Sequence, residues 1–131
     1  MNVSQKQFEE IINEAVARTP KSYRDRLQNV AFLVEDKPTN EQRQKLKLSD
    51  GQTLLGLYEG VPLPQRNGAT KVLPDKITLF KTPLLAASQN LNDLKQNVYH
   101  TVWHEIAHYF GLDHEQIHNL ELPDNKKKEK E

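Results

Sequence analysis

The segment from Asn90 to Gly111 constrains the fold more than any other part of the chain. Its apolar residues Leu94, Val98, Val102, Trp103, Ile106, Ala107 and Phe110 recur at helical spacing but occupy more than one face. A helix apolar on several sides must be covered on several sides, so this one is predicted to be a buried central element with other layers packed around it. Asn90 or Asn92 supplies an N-cap, Asp93 suits the positive end of the helix, and Gly111 marks its stop.

The remaining segments provide the cover. Ser4 and Gln7 have the spacing of a capping box, and Phe8, Ile11, Ile12, Ala15 and Val16 fall on one face before Pro20, which predicts a helix over 5 to 18. Residues 27 to 34 form a β-rich run in which apolar side chains take both parities, suiting a strand covered on both faces. TLLGLYE at 53 to 59 and KITLFK at 76 to 81 are further strands, separated by a stretch with turn signals that include Asn67-Gly68. Residues 35 to 52, with Leu46 and Leu48 as their apolar anchors, read as a long, mobile connection and a candidate lid. PDNKKKEKE at the end has the composition of a solvated tail, which gives one domain over 1 to 122 and a disordered segment over 123 to 131. The class is α+β, with a small sheet of three or four strands.

Charge and cysteine content remove several functions. The 18 basic and 18 acidic residues cancel, leaving no global field for nucleic acid or an anionic membrane surface. No run is long and apolar enough to span a bilayer, and MNVSQKQFEE lacks the features of a secretory signal, so a cytoplasmic location is expected. With no cysteine, a transition-metal site must be built from His, Asp or Glu.

Such a set lies at the end of the central helix. His104, Glu105, His108, Gly111 and His114 form the pattern H-E-x-x-H-x-x-G-x-x-H. Histidines four apart stand one turn apart on the same face, where both imidazoles reach one ion. Glu105 is displaced to the side of that clamp, where a general base for a metal-activated water belongs. Gly111 suits the left-handed turn that lets the chain reverse, so that His114 returns as third ligand and leaves one position open. H-E-x-x-H alone also occurs by chance in unrelated helices; the added glycine, third histidine and buried helix favour a site for one Zn²⁺ per chain.

The extended string resembles the zinc-binding consensus of the metzincin metallopeptidases. The chain as a whole resembles the small bacterial zincin-like metallopeptidases through LLGLYEGVPLPQR, LPDKITLFKTPLL and HTVWHEIAHYFGLDHE, in that order. The resemblance implies a minimal zincin-like fold, a small mixed sheet packed on an N-terminal helix and a buried active-site helix. It also implies peptide-bond hydrolysis with Glu105 as catalytic base, His104, His108 and His114 on zinc, and a peptide or protein as substrate, paired along an edge strand at 76 to 81. In that family the position of His114 is often acidic, which keeps Asp113 open as third ligand; Glu115 or Glu121 would serve a gluzincin-like arrangement. The chain departs from full metzincins in having no methionine beyond Met1 for a turn beneath the metal.

His100 lies one turn before His104 and either lines the cleft or is a satisfied interior residue, whereas His118 reads as surface. Trp103 and Phe110 read as core. Tyr58, Tyr99 and Tyr109 are all open as oxyanion donors. The competing readings are a metal-stabilised interaction module without activity and a regulatory protease with a single protein target. The intact Glu105 favours an enzyme over the module, since a structural site needs no base.

Overall fold

A computed structural model describes residues 1 to 65, 73 to 112, 115 and 116. Asn67-Gly68, Asp113, His114, His118, Glu121 and the tail over 123 to 131 lie outside the described residues. Helix α1 runs Gln5–Arg18, opened by the expected capping box: the Ser4 hydroxyl accepts from the Gln7 N–H at 3.1 Å, and the Gln7 side chain accepts from the Ser4 N–H at 2.8 Å. Its apolar stripe, Phe8, Ile11, Ile12 and Ala15, is buried. A short turn α2, Lys21–Arg24, follows Pro20.

Strands β1 (Val30–Glu35), β2 (Gly56–Glu59) and β3 (Asp75–Phe80) form one mixed sheet in the order β1-β3-β2. β3 is parallel to β1, with Ile77 opposite Phe32, and antiparallel to β2, with Thr78 opposite Leu57. The central position of β3 explains why Ile77, Thr78, Leu79 and Phe80 are all buried. β1 lies at an edge and is only half-buried, with Leu33 exposed, so the doubly covered strand is β3 and not residues 27 to 34 as the sequence suggests. Residues 76 to 81 are equally not an edge: β3 is paired on both sides, and Lys81 already begins the short helix α4, Lys81–Ala86. Among the described residues, the outer edges of the sheet belong to β1 and β2.

The connection over 35 to 52 also differs from expectation, since it contains helix α3, Asn40–Lys45, with its own capping box between Thr39 and Gln42. Arg43 ties its far end by donating to the carbonyls of Ser49 and Gln52 at 2.8 and 2.6 Å.

Helix α5, Leu91–Tyr109, is the buried central helix. The Asn90 side chain caps it by accepting from the Asp93 N–H at 2.8 Å. α1 packs along one side of α5, and β2 and β3 along another. Between these layers Leu94, Val98, Val102, Trp103, Ile106 and Tyr109 are almost fully buried, joining Phe8, Ile12, Ile77 and Leu79 in one core. Trp103 stacks edge-on against Tyr23 at 5.2 Å. None of the helices among the described residues is long and apolar enough to cross a membrane.

Because Phe8 is fully buried where α1 joins this core, Phe8→Ala removes a whole ring from a packed site and is expected to cost about 3 to 5 kcal/mol. Urea unfolding followed by circular dichroism measures it; a loss under about 1 kcal/mol would mean that α1 is not part of the core.

Candidate metal centre

The apolar contacts that bury α5 also fix its rotation. With Trp103, Ile106, Ala107 and Tyr109 turned into the core, His104 and His108 stand together on a half-buried face. Their ring centroids are 4.6 Å apart, and the ligand-capable atoms of His104, Glu105 and His108 all lie within 4.8 Å of one another. Two imidazoles at that separation form a clamp suited to zinc, which takes His nitrogen at about 2.0 to 2.1 Å, and the Glu105 carboxylate stands beside them.

Glu105 is 6% exposed, so its carboxylate must find partners in place of water. It finds two, both on Oε1: the backbone N–H of Tyr58 in β2 donates at 2.9 Å, and His108 Nδ1 lies at 3.3 Å. The hydrogen bond and charge of Glu105 raise the His108 pKa above 6.5 against the opposing effect of burial.

The end of α5 closes as the sequence requires. Gly111 takes φ +73°, its N–H donates to the His108 carbonyl at 3.0 Å, and the Leu112 N–H reaches back to Ala107 at 3.1 Å, a complete Schellman closure. A side chain there would be strained by that φ and would also strike Pro64 at 2.8 Å, so glycine is required twice over. The helix thus ends directly after the histidine pair. His114 and Asp113, the two expected third ligands, lie outside the described residues; Glu115 is exposed.

A cleft of about 370 Å³ opens beside the pair, walled by Thr53 to Gly56 on one side and by His100, Thr101, His104 and Glu105 on the other. His100 is exposed and lines this cleft, which decides between its two readings. Residues 35 to 52 do not line it; α3 instead borders a separate cavity of about 250 Å³ beside Leu57, Tyr58, Glu59 and Gly60. None of the three tyrosines lines the cleft beside the histidine pair. Tyr58 Oη donates to Asp75 at 2.6 Å, Tyr109 Oη accepts from the Gln28 N–H at 3.3 Å, and the Tyr99 ring lies under the Arg18 guanidinium at 4.2 Å. Trp103 and Phe110 are core, 1% and 9% exposed.

The contact that sequence reasoning missed is the Tyr58 N–H on Glu105. A backbone donor has no motif; the one signal was Gly56, since a glycine inside a strand marks a close backbone approach.

A buried helix carrying a His-Glu-His cluster, set against a small mixed sheet, is the architecture of a zincin-type metallopeptidase. Comparison with protein families agrees: residues 27 to 123 match the zincin-like metallopeptidase family, and the chain belongs to that family. A solved structure of similar fold is a conserved hypothetical protein from T. thermophilus, at 23% identity, covering 82% of this chain and 94% of that one, with a TM-score of 0.58. No curated protein matches the chain significantly.

The raised His108 pKa has a testable sign. Below about 6.5 imidazole is protonated both folded and unfolded, so the Glu105 contact contributes its full stability there. That contribution is lost as pH rises through the folded-state value. In metal-free protein, an NMR titration is expected to place His108 above 6.5, with Glu105→Gln moving it downward. An unmoved value would show that Glu105 is not the cause.

Proposed function

We propose that the protein is a zinc-dependent peptidase in which His104 and His108 hold the ion with a third ligand from His114 or Asp113, and Glu105 is the catalytic base. The observation that carries this reading is Glu105 itself, a buried carboxylate within 4.8 Å of both imidazoles and at the wall of an open cleft. A purely structural zinc site fills its four positions with protein and has no use for a buried base beside them.

When bound, zinc supplies Lewis acidity that activates a water and polarises the peptide carbonyl. Glu105 takes the proton of the attacking water and delivers it to the departing amine. The Tyr58 N–H holds one carboxylate oxygen throughout, so the base keeps its place in the cleft while its charge changes.

The substrate is a peptide or protein lying extended along β2, and not along 76 to 81, which is paired on both sides. The Phe80 N–H donates to the Leu55 carbonyl at 3.0 Å, which fixes the antiparallel alternation. Leu57 and Thr78 therefore exchange the ladder bonds, while the peptide groups of Gly56 and Tyr58 point outward; the Tyr58 N–H is taken by Glu105, which leaves the Gly56 peptide group, beside the cleft, to meet a substrate backbone. Main-chain pairing of this kind is tolerant of substrate sequence.

Hydrolysis of a quenched peptide library by zinc-loaded protein tests the proposal. Wild type is expected to cleave, and Glu105→Gln to lose at least about 10²-fold in kcat while retaining zinc, the size of a general acid-base contribution. Bound zinc with no cleavage of the library or of any protein target would favour a metal-stabilised interaction module instead.

A further inference from the structure

Gly56 opens the sheet's shortest strand and is half-buried against α5. A Cβ built there would meet Thr101 Cγ2 at 2.5 Å, the Thr78 carbonyl at 3.2 Å and Glu105 Cγ at 3.5 Å. Ordinary carbon contacts are about 3.5 to 4.0 Å, so a side chain at 56 requires a shift of about 1 Å between β2 and the buried Thr101 of α5. Two residues on, along the same outward side of β2, the Tyr58 N–H makes its 2.9 Å bond to Glu105 Oε1. A 1 Å separation takes that bond beyond hydrogen-bonding distance.

We propose that Gly56 is a positioning residue for the base: the absence of a side chain at 56 lets β2 sit directly on Thr101, and that seating delivers the Tyr58 N–H to Glu105. The inference rests on the peptidase reading for its catalytic consequence, though not for the contact itself. The three atoms nearest a Cβ at 56 belong to Thr101, Thr78 and Glu105, so the first collision falls on Thr101 and the Glu105 side chain. Loss of the glycine acts first on the carboxylate.

Thr101 allows a reversal. Its Oγ1 donates to the Asn97 carbonyl at 2.7 Å within α5, while Cγ2 alone makes the closest approach to position 56. Thr101→Ser keeps the hydroxyl and removes the colliding methyl.

The test compares wild type, Gly56→Ala and the double variant Gly56→Ala/Thr101→Ser, with three readouts: zinc stoichiometry, kcat and KM on the quenched peptides, and the Tyr58 amide resonance with its hydrogen exchange. Gly56→Ala is expected to bind zinc as wild type does, lose about 10²-fold in kcat with KM changed less than about threefold, and show a shifted, faster-exchanging Tyr58 amide. The double variant is expected to recover at least about tenfold of that kcat and to restore the amide. A Gly56→Ala protein with wild-type kcat and amide overturns the proposal, as does a loss of kcat that Thr101→Ser does not relieve. Should Gly56→Ala fail to fold, the wild-type amide decides: it is expected to move on Glu105→Ala and to stay near its place on Glu105→Gln, and indifference to Glu105→Ala overturns the contact. Absence of hydrolysis by zinc-loaded wild type would instead remove the peptidase reading, with the amide measurements still judging the contact.

Discussion

The burial of α5 is the constraint on which everything else depends. A helix packed by α1 on one side and by β2 and β3 on another has no freedom to rotate, because turning it would bring His104 or His108 into the core and expose Trp103 or Ile106. Each such apolar side chain contributes about 1.5 to 3 kcal/mol of burial, which far exceeds what either imidazole could return. Packing energy thus sets the direction of the two imidazoles, His104 and His108, that could hold a metal ion. That order of causes suits a catalytic centre, which works best on rigid elements with supporting contacts.

Glu105 is where the packing becomes chemistry. A buried carboxylate is stabilised only by donors, and here one donor is a backbone N–H of the neighbouring strand and the other an imidazole of the same helix. The sheet is therefore not merely a cover for α5. Its shortest strand supplies the hydrogen bond that locates the carboxylate, and its outward peptide groups lie beside the cleft.

Much of this was legible in the sequence. The capping residues Ser4 and Asn90 and the stop at Gly111 are local signals, and α1 and α5 begin and end within about a residue of where those signals put them. The histidine pair and Glu105 were equally legible, since helical spacing alone brings them together. Helix α3 carries the same Thr39 to Gln42 capping signal but has almost no apolar stripe, so its polar residues masked it. The order of the sheet was not legible: β1 and β3 are both apolar runs, and which one is central depends on pairing between residues more than forty positions apart. Nor could any residue type announce the Tyr58 N–H, because a backbone group has no identity in sequence; only Gly56 hinted at a close approach.

The central claim is that one metal ion sits between His104 and His108 on α5. Anomalous diffraction from crystals of zinc-loaded protein at the zinc absorption edge measures this directly. The account predicts a single strong peak about 2.0 to 2.1 Å from an imidazole nitrogen of each of these histidines, with His114 or Asp113 as the third ligand. A peak elsewhere, or no peak in protein supplied with excess zinc, would contradict it.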